Sequence, residues 1–214
     1  MKYLIWLLTT LVFNSVHSQN ASSKDIINRS IAFHDPHNHW QTFKATLSLV
    51  EERESGDRNT QFSIDNTLRK FIFERDSISH GMLLDSCFNL AGETSCDRIQ
   101  TIRNYYLYLW GLPMKLKDPN TPVLEDIQEL SDWNGHHVYG VRVNYERENW
   151  TFFFEQSTYE LVGYQFYFNY KEGGEVITLK DLVEFEGIKI PKTRTWHTLP
   201  DRQYLVTDKL EWIK

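Results

Sequence analysis

The sequence is poor in the residues that break or staple a chain: 214 residues carry 10 Gly, 6 Pro and 2 Cys. So little glycine and proline excludes a collagen-like or low-complexity chain, and two cysteines exclude a disulfide-dense miniprotein. Positive charge is not in excess either, because 23 Lys+Arg face 29 Asp+Glu for a formal net charge of −6. A nucleic-acid polyanion needs a basic surface, so it is not the expected partner. The most apolar stretch, residues 4–13 (LIWLLTTLVF), has ten positions, well short of the ~20 that span a bilayer as a helix. Chemical signatures are missing as well: G-x-S-x-G, H-E-x-x-H, G-x-x-x-x-G-K-[ST] and G-x-G-x-x-G do not occur. No nucleophile elbow, zinc-protease helix, phosphate loop or dinucleotide fingerprint is on offer, and no cofactor is implied.

Aromatic side chains are abundant, at 14% from 7 Trp, 11 Tyr and 13 Phe. Rings suit pleated, half-buried surfaces, so the composition favours strands. Lys2, the apolar run at 4–13, and Val16 and Ser18 at the −3 and −1 positions form a signal peptide over residues 1–18, with cleavage before Gln19. The mature chain, 19–214, is then expected to be a single domain, exported as a soluble periplasmic or secreted protein. In an oxidising compartment Cys87 and Cys96, with eight residues between them, are expected to bridge, the alternative being two free thiols.

Ser22 or Ser23 caps a short expected helix whose Ile26, Ile27, Ile31 and Phe33 share one face and which stops at His34-Asp35-Pro36. Phe43, Ala45, Leu47 and Leu49 then alternate with Lys44, Thr46 and Ser48, the period-2 pattern of a strand with one buried face. Strand-like runs follow at 60–65, 68–75 and 78–84, and after residue 138 at 139–145, 150–155, 162–168, 175–185, 188–198 and 203–213. Between Cys96 and Gly111 the period changes. Ile99, Ile102, Tyr106 and Leu109 recur at helical spacing, and the second half, YYLYLW, is apolar nearly all round. The expectation is nine or ten strands in one curled antiparallel sheet, with the helix at about 97–110 lying over the concave face and burying Ile102, Tyr106 and Leu109.

Candidate chemistry is thin. His34, His37 and His39, with Asp35, have the residue types of a zinc site, but Pro36 interrupts them and no regular element aligns them. A polar turn with exposed histidines accounts for them equally. His136 and His137 sit in an expected hairpin turn, and His80 and His197 are isolated. Glu155 and Glu160 fit a solvated strand face. Lys115, Lys117, Lys192 and Arg194 fit either an anionic headgroup or surface ion pairs.

The block Cys96-Asp97-Arg98, followed by Arg103 to Pro119 (RNYYLYLWGLPMKLKDP), resembles an uncharacterised family of bacterial exported proteins, many of them lipoproteins. His34-Asp35-Pro36 with Trp40, and Ile190-Pro191-Lys192-Thr193-Arg194 with Trp196, extend the resemblance over the mature chain. Two departures are an Asn120 where Gly is expected and the absence of a lipid-anchoring Cys. The resemblance implies a mainly β (α+β) fold like the periplasmic lipoprotein carriers: a half-open antiparallel barrel with a helical lid over a hydrophobic cavity. It implies no catalytic residue.

Three functions are compatible with these features. One is a non-catalytic carrier or binder of an acyl chain or lipoprotein, its cavity lined by Tyr105, Tyr106, Tyr108, Trp110, Phe152, Phe154 and Phe166. The second is a structural or interaction module with a packed interior, and the third a metal-dependent hydrolase built on His34, His37 and His39. The oligomeric state is not legible in the sequence.

Overall fold

The computed structural model describes residues 21–214, so the expected signal peptide and its cleavage point lie outside the described residues. Helix α1, Ser23–His34, starts on a capping box: Asp25 N–H donates to Ser22 Oγ at 3.1 Å, and Ser22 N–H donates to the Asp25 carboxylate at 3.1 Å. Ile26 and Ile27 are the buried face. The helix stops because the Asp35 carboxylate takes the N–H groups of His39 (2.7 Å) and Trp40 (2.9 Å), which turns the chain into a short 3-10 helix at His39–Thr42.

Five strands then run as a meander: β1 (Lys44–Glu52), β2 (Arg58–Asp65), β3 (Lys70–Arg75), β4 (Ile78–Leu83) and β5 (Ser86–Ala91). Helix α2, Cys96–Trp110, is capped by Ser95, whose Oγ accepts from Arg98 N–H at 3.4 Å. A second meander follows: β6 (Val123–Trp133), β7 (His136–Asn144), β8 (Glu148–Glu155), β9 (Leu161–Phe168), β10 (Gly174–Phe185), β11 (Ile188–Leu199) and β12 (Tyr204–Ile213). The two meanders join where β1 pairs antiparallel with β12, giving one twelve-stranded sheet of order β5-β4-β3-β2-β1-β12-β11-β10-β9-β8-β7-β6. The edges β5 and β6 do not meet, so the sheet curls without closing into a barrel, and α2 is the connection that crosses from one edge to the other.

The structure has twelve strands against the nine or ten expected. β5 and β6 are the edges, where most side chains meet water, so neither carries an alternating apolar face to be read. The cover is also shared rather than single. α2 packs on β3, β4 and β5, whereas α1 packs on β6, β7 and β11. α2 buries Ile99, Tyr106, Leu109 and Trp110, while Ile102 is only half-buried, a correction to the expected stripe.

The main core fills the concave face, from Leu47, Leu49 and Phe62 on one half to Phe152, Tyr164 and Ile177 on the other. A satellite cluster lies on the convex face, where Trp133 stacks on Phe153 with ring centroids 4.3 Å apart. Gly163 makes this stack fit: a Cβ there would stand 2.1 Å from the Trp133 ring and 2.5 Å from the Ile177 carbonyl oxygen. Asn120 takes a left-handed φ of 67°, so it does serve in the geometry that Gly would adopt.

Cys87 and Cys96 are bridged, which ties β5 to the first turn of α2. Closing so short a loop restricts the unfolded chain by about 2–3 kcal/mol in the chain-entropy model. Thiol labelling of denatured, unreduced protein is therefore expected to find no reactive sulfur, and two labelled sulfurs per chain would contradict the bridge.

Candidate functional site

The second half of α2 does not lie flat on the sheet. Between it and strands β8 to β12 is a cavity of about 930 Å³. Tyr105 and Tyr108 line it from the helix, Trp150 and Phe166 from β8 and β9, Trp196 from β11, and Leu205 and Val206 from β12. Tyr105 is 45% exposed although protein surrounds it, because its ring faces this open space. The protein around them displaces water and pushes the Tyr105 and Tyr108 hydroxyls well above their ordinary pKa, so both stay protonated.

Most polar tips of the ring-lined wall are satisfied by protein partners. Trp150 Nε1 donates to Glu148 at 3.0 Å, Trp196 Nε1 donates to Asp208 at 3.0 Å, and the Tyr108 and Tyr145 hydroxyls share a hydrogen bond of 2.8 Å. Stacking fixes the rings further, with Trp150 and Phe166 centroids 4.6 Å apart and Tyr105 and Trp196 6.1 Å apart.

Of the residues expected to line a cavity, Tyr105, Tyr108 and Phe166 do. Tyr106, Trp110, Phe152 and Phe154 do not; they are packed in the core. For the two helical residues the reason is the helical period. Positions 105 and 108 share one side of α2, while Tyr106 points at Phe62 and Phe73, and Trp110 at Phe62 and Arg194. Trp150, Trp196, Leu205 and Val206 were not expected in the wall.

Beneath Tyr106 is a buried ionic cluster. Glu51, 2% exposed, accepts from Arg58 (2.7 Å), Arg53 (3.3 Å), Thr60 (2.9 Å), the Tyr106 hydroxyl (2.9 Å) and Arg75. Burial alone would raise the Glu51 pKa, but Arg75 and the hydrogen bonds from Tyr106, Arg58 and Thr60 outweigh it and hold the carboxyl below its ordinary value. At Asp208 the balance falls the other way: burial and the nearby Glu51 charge outweigh Arg194 and the Trp196 hydrogen bond and push it up to about 6. Arg194 is fully buried rather than on the surface, with its guanidinium 3.5 Å from the Trp110 ring centroid and Nη1 donating to the Pro191 carbonyl at 2.8 Å. Arg194 thus departs from the expected surface position, and Glu51 was not singled out by the sequence reading. The available signal was register, since Glu51 continues the inward face of Leu47 and Leu49, and Arg194 and Asp208 are two residues from the inward Trp196 and Val206.

The histidine segment does not converge. His34 is buried, with Nδ1 bonded to the Lys189 carbonyl at 2.7 Å and Nε2 accepting the Leu161 N–H at 3.1 Å. Both nitrogens are committed, so the ring carries no free lone pair, and burial lowers its pKa to about 4. Asp35 is buried as well, which corrects the expectation of an exposed turn for these two residues; His37 and His39 are exposed. No group of three or more metal-binding side chains occurs among the described residues. His136 pairs with Glu155 at 2.7 Å, and His80 is buried against Phe73.

An open antiparallel sheet of twelve strands, curled but not closed into a barrel and covered by two helices, is a fold of the lipoprotein-carrier-like class. Solved structures with this architecture include a LolA superfamily protein from Nitrosomonas europaea, with TM-score 0.50 and 8% identity over 91% of this chain and 94% of that one. Another is a putative outer membrane lipoprotein-sorting protein domain from Vibrio parahaemolyticus, with TM-score 0.53 and 8% identity over 91% of this chain and 93% of that one. The chain itself belongs to the family of unknown function DUF6503, whose model matches residues 1–79 and 66–211. No curated protein matches the sequence.

Proposed function

We propose that this protein is an exported, non-catalytic carrier or binder that takes an acyl chain, or the acylated end of a lipoprotein, between α2 and strands β8 to β12. In this reading residues 1–18 direct export and are removed, and residues 19–214 act as one domain in the periplasm. The observation that carries the reading is the cavity of about 930 Å³ with its ring-lined wall, a size within the range of ~300–1,000 Å³ typical of small-ligand sites. A packed structural module would have no reason to leave that volume open. The Vibrio structure named for lipoprotein sorting supports the same assignment by fold. Among the described residues no helix is long and apolar enough to cross a membrane.

Displacement of a fluorescent fatty acid from purified protein tests this. Each methylene moved from water into an apolar site contributes about 0.8 kcal/mol, so affinity should rise roughly fourfold per CH2 until the cavity is full. Leu205→Trp, which places an indole in the cavity, should weaken binding by about tenfold or more. Failure to bind at any chain length would return the protein to the packed-module reading.

A further inference from the structure

Resting on the acyl-chain reading, we propose that the ligand is an anionic amphiphile whose carboxylate or phosphate head reaches a second, basic cavity beside the first, across the side chains of Arg103, Leu107 and Lys115. This second cavity, of about 230 Å³, lies between the β2–β3 turn and α2 and is lined by Asp65, Arg69, Lys70, Arg103 and Lys115, with Trp40 and Phe71 at its apolar side. Arg103, Leu107 and Lys115 also line the large cavity, so the two spaces lie on either side of the same three side chains, two of which are long and flexible.

Four cations face one carboxylate there, and that carboxylate is already engaged. Asp65 lies 3.7 Å from Lys44 Nζ and accepts the Leu68 N–H at 2.9 Å. Arg69 pairs with Asp85, and Lys115 with Asp118. Lys70 and Arg103 have no ion-pair partner within 4.0 Å among the described residues; Arg103 Nη1 donates only to the neutral Asn104 side chain, at 3.1 Å. Uncompensated positive charge beside an apolar cavity is the chemistry that recognises the ionised end of a lipid.

Charge also sets the direction in which the ligand lies. The end of the large cavity near the β1–β2 and β9–β10 turns carries Glu148 and Glu175 with Arg53, and Arg53 is already paired with Glu51, so the two carboxylates repel an anionic head. The head therefore sits at Arg103 and Lys70, and the tail runs toward Trp150 and Phe166. A free small anion shares the head's chemistry, so the two sources need separating.

The test compares a long-chain fatty acid, the alcohol of the same length, and inorganic phosphate on the wild type and on an Arg69→Gln/Lys70→Gln variant, at a pH where the acid is ionised. In the wild type the acid should displace the fluorescent probe about tenfold better than the alcohol. The variant should lose most of that preference while its affinity for the alcohol is unchanged. Equal binding of acid and alcohol by the wild type overturns the proposal and leaves the acyl-chain reading intact. Thermal stabilisation by phosphate that depends on Lys70, with acid and alcohol binding alike, assigns the basic cavity to a free anion and overturns it too. If acid, alcohol and probe all fail to bind, the acyl-chain reading itself falls.

Discussion

Glu51→Ala is expected to destabilise the protein by about 3–5 kcal/mol, the cost of removing one partner from a buried ionic cluster. The loss is large because Glu51 is the shared acceptor for Arg53, Arg58, Arg75, Thr60 and Tyr106. Its removal leaves the Arg75 and Arg58 charges facing one another beneath α2, with the Tyr106 hydroxyl deprived of its acceptor. Tyr106→Phe, which keeps the ring against Phe62 and Phe73 and removes one hydrogen bond, should cost only ~0.5–1.5 kcal/mol. Urea denaturation of both variants measures the difference. A Glu51→Ala loss below about 1 kcal/mol would mean that the carboxylate is not the anchor of α2.

The second large effect is a pair of opposed pH dependences. Asp208 titrates near 6 in the folded protein against an ordinary value of 3.8. The native state thus holds a proton that the unfolded chain has lost, so this group's contribution to stability falls as pH rises through that window, by on the order of 3 kcal/mol. His34 titrates near 4 against an ordinary value of 6.5. Here the unfolded chain takes the proton first, so stability present above pH 6.5 is lost as pH falls toward 4, again by on the order of 3 kcal/mol. The two slopes offset one another between about pH 4 and 6. In Asp208→Asn the His34 slope stands alone, and the variant should lose stability on acidification more steeply than the wild type. In His34→Gln the Asp208 slope stands alone, and acidification over the same range should cost less than in the wild type. Urea midpoints at several pH values report this, and three parallel curves would contradict the burial of both groups.

Much of this architecture is legible in the sequence because most strands have one wet face. Lys44 to Leu49 and Tyr139 to Tyr145 alternate cleanly, and their observed strands, β1 and β7, start or end within three residues of the alternation. The edges β5 and β6 escape notice, since an edge strand that buries little needs no apolar pattern. The aromatic helix was readable by its change of period. Its orientation was not: a helix apolar nearly all round does not declare which face meets the sheet and which meets a cavity, and so Tyr106 and Trp110 change places with Trp150 and Trp196 in the wall. Buried ions are the other hidden class. Charge argues for the surface, whereas the register of Glu51 and Arg194 argues for the interior, and the interior prevails because partners wait there: arginines and a tyrosine for one, an indole face and a carbonyl for the other. His34 follows the same logic, held by the Lys189 carbonyl and the Leu161 N–H from strands far away in the chain.

An acyl chain is proposed to occupy the space between α2 and strands β8 to β12. A crystal grown with a terminally brominated fatty acid tests it most directly, because anomalous scattering marks the end of the chain. The bromine peak is expected near Trp150 and Phe166, with the carboxylate toward Arg103. A fatty acid bound elsewhere, or a cavity closed over by Tyr105 and Tyr108 with no lipid in it, would contradict the account.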